Sequence, residues 1–155
     1  MKLPFTKKIR IRILIALLAL GLGIGGGIAY YIITEKFDDT ALVKAEHTLN
    51  ALQFLEEFQE NDSLANDKYR DRIVELKGRV TTIEWADTSA NIKMEAVGSA
   101  DYLIFDFQRQ DARKIRKLKQ GDSVSIRAAC SGSIFSRILN TRSVQFKRAA
   151  LIQKF

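Results

Sequence analysis

The chain has 155 residues, 46% of them hydrophobic and 28% charged, with a formal net charge of +7. This length suits one compact domain plus a short additional segment. One cysteine (Cys130) and one histidine (His47), with no metal-ligand spacing, exclude an internal disulfide and argue against most zinc, haem and thiol chemistry. We therefore expect no metal and no cofactor.

The first 33 residues predict a membrane anchor. Residues 1–12 form a basic tail with five Lys or Arg side chains, and residues 13–33 carry no charge. At about 1.5 Å per residue, this run matches a hydrocarbon core of about 30 Å, so we expect it to contact membrane lipid. The positive-inside rule places the tail in the cytoplasm and the C-terminal domain on the periplasmic or extracytoplasmic face of the inner or plasma membrane.

Two alternatives concern this apolar run. It could be a signal peptide cleaved after Ala29, although it is longer than the usual apolar region of about 7 to 15 residues. The spacing of Gly21 and Gly25 would let two helices approach closely and form a homo-oligomer. The simpler alternative is a glycine-rich anchor without a partner helix.

Residues 38–70 are predicted to be a helical segment. From Asp39 to about Glu60, apolar residues recur at three- and four-residue steps, which indicates an amphipathic helix. The stripe consists of Leu42, Ala45, Leu49, Leu52, Leu55 and Phe58, and Phe54 lies off it. We expect the stripe to pack on the following domain; the alternative is a partner-binding or dimerising helix.

Residues 71–155 are predicted to form a mainly β domain. Alternation with period two predicts five strands, and a short helix is predicted between the third and the fourth. The strands lie at about 74–85, 92–96, 103–107, 124–130 and 144–151, and the helix at 111–118. A long first strand that bends near Gly78 and a helix in this place are typical of a five-stranded OB-like barrel. The predicted fold class is therefore an N-terminal transmembrane helix, an amphipathic α-helix and an OB-like β-barrel; a plain antiparallel sheet with one helix is the alternative.

Four segments also resemble a known family, the tRNA_anti-like family. They are Asn61–Tyr69, Ile73–Val80, Lys119–Asp122 and Cys130–Gly132. The family consists of small, mostly bacterial proteins in which an OB-like barrel often follows a signal or anchor helix. The resemblance covers roughly residues 40 to 153 and implies neither tRNA binding nor a catalytic residue.

Candidate ligand-binding residues follow from the OB-like barrel, because such barrels bind oligonucleotides or oligosaccharides on the face of strands two and three. Aromatic side chains that could stack and cations near them are Trp85, Lys93, Tyr102, Arg109 and Arg127. Glu95 and Asp106 fall on the same face, and the domain is predicted to be exported. Both observations argue against nucleic acid as the ligand.

The sequence thus predicts a membrane-anchored, non-catalytic binding or interaction module whose ligand is open and whose partner is an envelope protein. The alternative is an oligonucleotide- or oligosaccharide-binding OB domain. No nucleophile with an adjacent base, no metal cluster and no phosphate-binding loop is recognisable in the sequence, so we do not expect an enzyme.

Overall fold

The computed structural model describes residues 7–34, 39–87, 89–96, 98–107 and 109–155. The chain divides into two compact units, Met1–Phe37 and Asp38–Phe155. The first unit contains one helix, α1 (Lys7–Thr34), which includes residues 13–33 of the predicted anchor. Among the described residues, none of the helices is both long and apolar enough to cross a membrane. Residues 1–6 of the predicted basic tail lie outside the described part of the chain.

The second unit contains seven described strands and three described helices. In chain order they are β1 (His47–Asn50), α2 (Ala51–Glu60), α3 (Asp62–Tyr69), β2 (Ile73–Arg79), β3 (Thr82–Trp85), β4 (Ala90–Glu95), β5 (Tyr102–Phe107), α4 (Arg109–Ile115), β6 (Ser123–Ser136) and β7 (Thr141–Lys154). The five predicted strands correspond to β2 with β3, then β4, β5, β6 and β7. The short helix between the third and fourth of them is α4.

The strands form one sheet in the order β1-β2-β6-β7-β5-β4-β3. β2 and β3 are the two halves of the predicted bent strand, separated by two residues. Val80 N donates to the carbonyl of Asp122 beside β6, and Thr81 N donates to the carbonyl of Lys93 in β4. The bent strand thus forms hydrogen bonds beside β6 through its first half and to β4 through its second half, so the sheet closes on itself. The predicted OB-like mainly β domain is confirmed, with β1 as an additional parallel strand beside β2.

Aromatic residues fill the centre of the domain. Phe105 and Phe146 stack at 4.5 Å between ring centroids, and Phe54 from α2 lies 5.6 Å from Phe146. Tyr69 from α3 lies 4.6 Å from Phe54, and its hydroxyl donates to the carboxylate of Glu57. α2 and α3 therefore contribute directly to the core of the barrel domain.

The predicted helix from Asp39 to about Glu60 is wrong in its first half. Residues 47–50 form β1, which pairs with β2 in the register His47 with Val74. α2 starts only at Ala51, where the side chain of Asn50 accepts a hydrogen bond from Leu52 N at 2.8 Å and caps the helix.

The buried face of α2 also differs from the predicted stripe. Ala51, Phe54, Leu55 and Phe58 are buried, whereas Leu52 is half exposed. Leu55 and Phe58 of the predicted stripe are confirmed as buried, whereas the prediction is wrong for Leu52 and for Phe54, which was placed off the stripe. The rest of the predicted helical segment is mostly a second helix, α3, and the side chain of Asn61 caps it by accepting a hydrogen bond from Leu64 N.

Candidate functional site

A groove of about 820 Å³ opens at one end of the barrel, beside the N-terminus of α2. Its walls come from the start of α2, the bend between β2 and β3, the end of β4, and the loop before β6. Its lining includes Leu52, Gly78, Val80, Met94, Ala96 and Phe155. The surface that these residues present is mainly apolar, so the groove is suited to an apolar group of a ligand.

Gly78 shapes the floor of the groove. A Cβ atom placed at this residue would lie 2.7 Å from the Cβ of Ala51 and 2.7 Å from the Sδ of Met94. Only a glycine therefore lets β2 approach both α2 and β4 this closely. The sequence predicts a bend here, and the structure adds the close approach as a second reason for glycine.

The rim of the groove carries polar and charged groups. Lys77 and Arg79 flank Gly78 on β2, and Glu95 follows Met94 on β4. The described residues show no ion pair for Lys77 or Arg79. Two cations and one carboxylate thus surround an apolar floor, and the arrangement favours a ligand with an apolar part and a polar or anionic end.

The structure brings two of the predicted site residues together on the outer face of β4 and β5. The ammonium of Lys93 lies 5.3 Å from the ring centroid of Tyr102 and 2.6 Å from the Glu84 carboxylate. The hydrogen bond from Lys93 to Glu84 raises the pKa of the lysine, which remains a cation. Trp85 is half exposed, but it neighbours Glu84 in β3 and pairs with Ala90, so it lies on the other face of the strand from Glu84.

Arg127 lies elsewhere and is already engaged. Its guanidinium pairs with Glu75 on β2 and also donates to the main-chain carbonyl groups of Ala41 and Val43. β6 is separated from β4 in the sheet by β7 and β5. Arg109 begins α4, and its side chain lies outside the described residues. Of the four predicted site residues whose side chains are described, none lines the groove.

The potential for nucleophilic or metal chemistry is low in the described part of the domain. Burial raises the pKa of the Cys130 thiol to about 11, so the thiolate that would act as a nucleophile is scarce at neutral pH. Within the described residues, no three His, Cys, Asp or Glu side chains are placed to hold a metal ion.

Sequence reasoning missed the groove because its walls come from four distant segments between Asn50 and Val124 and from Phe155. One signal was present. A glycine inside a strand pattern, here Gly78, marks a bulge or a close approach of another element. The sequence did not indicate which element approaches, since Ala51, the residue of α2 that meets Gly78, was not part of the predicted stripe.

The family model described as tRNA_anti-like matches residues 1–143, which confirms the resemblance of the sequence segments. A comparison with curated proteins gives no match.

Three solved structures match parts of this chain. The replication Factor A related protein from Methanobacterium thermoautotrophicum is 15% identical, with a TM-score of 0.42 over 56% of this chain and 83% of that protein. The aspartyl-tRNA synthetase from Entamoeba histolytica is 6% identical, with a TM-score of 0.41 over 57% of this chain and 20% of that protein. A "putative nucleic acid-binding lipoprotein" from Klebsiella pneumoniae subsp. pneumoniae MGH 78578 is 18% identical, with a TM-score of 0.54 over 77% of this chain and 100% of that protein. The likeness to the Klebsiella protein shows a shared fold.

Proposed function

The chain belongs to the tRNA_anti-like family, and on that premise we propose that it is a non-catalytic OB-fold binding module held at a membrane. Its ligand is a small molecule with an apolar part, bound in the groove beside Gly78. The observation that carries this proposal is the groove itself. Its volume of about 820 Å³ lies within the range of roughly 300–1,000 Å³ for small-molecule sites, and an apolar floor with a few polar groups at the rim is typical of them.

Nucleic acid is the alternative ligand. It is supported by the name of the Klebsiella protein and by the excess of 16 basic over 8 acidic residues from 72 to 155. The outer face of β4 and β5 argues against it. Its lysine, Lys93, is paired with Glu84, and Glu95 and Asp106 alternate onto the same face. A phosphate backbone would meet more carboxylates than free cations there.

Membrane attachment is the second part of the proposal. The 21 residues from 13 to 33 carry no charge, and the described large apolar side chains of α1 are exposed. We propose that these residues contact membrane lipid, with the basic tail in the cytoplasm and the domain on the non-cytoplasmic face. The name of the Klebsiella protein is that of a lipoprotein, a class attached to membranes.

Two partner proposals follow from the same arrangement. A domain held at a membrane is suited to meet an envelope protein. A second copy of the chain would pair along α1 at Gly21 and Gly25, because glycines four residues apart lie on the same side of a helix.

The ligand proposal is tested by thermal melting of the full-length protein with three probes: dodecanoate, a chitin oligosaccharide and a 12-nucleotide oligomer. We expect dodecanoate to raise the melting temperature. Replacing Ala96 at the groove wall with Trp should abolish this rise, because the indole fills the space. The matched control is Lys147→Ala, an exposed residue of β7, which should keep the rise.

An opposite pattern would favour the alternative function. If the oligomer raises the melting temperature and Ala96→Trp leaves that rise intact, the ligand binds outside the groove. The apolar-ligand proposal is then wrong. Loss of the effect at about 200 mM salt would identify phosphate contacts as its cause.

A further inference from the structure

The hairpin of β6 and β7 projects beyond its neighbours in the barrel. The pairing of β6 with β2 ends at Ala129, and the pairing of β7 with β5 starts only at Ser143. Beyond these residues β6 and β7 pair only with each other, as Phe135 does with Arg142. We call residues 134–142 the hairpin tip.

The hairpin tip exposes large apolar side chains. The exposed fractions are 57% for Ile134, 51% for Phe135, 96% for Ile138 and 72% for Leu139. Leu139 N donates to the Ser136 hydroxyl at 3.3 Å, and the Thr141 hydroxyl donates to the Leu139 carbonyl at 3.0 Å. These bonds order the turn, so Ile138 and Leu139 are held at its end. Four adjacent exposed apolar residues mark an interaction surface.

The two strands of the hairpin carry only positive charges of their own. Residues 123–155 contain no Asp or Glu and six basic residues, which are Arg127, Arg137, Arg142, Lys147, Arg148 and Lys154. Arg142 is paired at the base of the tip with Asp62 and Asp101. Among the described residues, no carboxylate pairs with Arg137 in the turn itself. The apolar end therefore carries a cation that is available to an anionic surface.

We propose that the hairpin tip inserts Ile138 and Leu139 into the interfacial region of an anionic lipid bilayer, with Arg137 on the lipid headgroups. The combination of apolar side chains that enter the acyl boundary and cations at headgroup level is how peripheral segments bind such surfaces. The inference rests on the proposed membrane location and is independent of the groove.

The test uses tryptophan fluorescence of the full-length chain in vesicles of phosphatidylglycerol with brominated acyl chains. Trp85 is the only tryptophan, so a double variant that combines Trp85→Phe with Ile138→Trp reports on the hairpin tip alone. The wild-type protein is the matched control. Trp85 pairs with Ala90 of β4, which in turn pairs with Phe107 at one end of β5. The hairpin tip begins at the other end of β5, where Tyr102 pairs with Ser143.

We expect the emission of the double variant to shift to shorter wavelength and to be quenched at least twofold by the brominated lipid, and the Trp85 emission of the wild type to change little. Adding Arg137→Glu to the double variant should weaken the quenching. If the protein is on the vesicles but the emission of the double variant stays unquenched and water-like, this inference is wrong and the proposed anchoring is not affected. An equal shift of the emission without lipid would also overturn the inference, because it would indicate a protein contact. If the full-length chain does not float with vesicles at all, both the proposed anchoring and this inference are wrong.

Discussion

Arg127 of β6 lies opposite Glu75 of β2, and its Nη2 donates to Oε2 of that carboxylate at 2.7 Å. Its Nη1 donates to the carbonyl groups of Ala41 and Val43 at 2.9 and 2.8 Å. The Ser125 hydroxyl donates to the other carboxylate oxygen at 2.7 Å. This mostly buried pair therefore fastens the segment before β1 onto the barrel wall.

Replacing Arg127 with Ala should lower the free energy of unfolding by about 3 kcal/mol, because Glu75 is left as an unpaired and mostly buried carboxylate. Urea denaturation followed by circular dichroism measures this. The matched control is Lys93→Ala, which breaks the pair with Glu84, a carboxylate that is half exposed, and should cost less than about 1 kcal/mol. Equal losses in the two variants would show that the Arg127 pair is not a structural one.

The same carboxylate predicts a dependence of stability on pH. Burial raises the pKa of Glu75, but the hydrogen bonds from Arg127 and Ser125 outweigh it, so the pKa lies below its ordinary value of 4.5. The unfolded chain then binds the proton first as the pH falls. The contribution of Glu75 is complete above about pH 4.5 and is lost as the pH falls through the lower, folded value. Denaturation between pH 7 and pH 3 should show a smaller loss of stability in Glu75→Gln than in the wild type.

Phe54 and Leu52 test which face of α2 is buried. Phe54 is fully buried against Tyr69 and Phe146, so Phe54→Ala should lower the free energy of unfolding by about 3–5 kcal/mol. Leu52 is half exposed at the groove, and Leu52→Ala should cost about 1 kcal/mol or less. Melting curves of the two variants compare these losses of stability. A larger loss for Leu52→Ala than for Phe54→Ala would place Leu52 on the buried face, as the sequence predicted.

Gly78 should not tolerate a side chain. Since its Cβ would meet Ala51 and Met94 at 2.7 Å, Gly78→Ala should destabilise the domain by about 1–3 kcal/mol and Gly78→Val by more. Thermal melting measures both. Lys77→Ala, at the neighbouring exposed position, should melt close to the wild type. An unchanged melting temperature of Gly78→Val would contradict the close approach of β2 to α2 and β4.

The β strands could be predicted because each has one face on the core. Val74 and Leu76 alternate with half-buried or exposed residues in β2, as do Leu103 and Phe105 in β5. Burial of one face imposes a period of two on the sequence, and the sequence alone shows that period. β1 has only four residues, and its pairing with Val74 lies 27 positions away, so no local period revealed it.

The amino-acid sequence by itself determined the uncharged run of residues 13–33, the five barrel strands and the family, because these depend on local composition and on repeating burial. Only the tertiary structure decided that Arg127 fastens residues 41–43, that Lys93 meets Tyr102, and that a groove opens beside Gly78. The physical reason is that these contacts join segments far apart in the chain. Their partners depend on how the closed sheet aligns its strands, and no single stretch of residues carries that information.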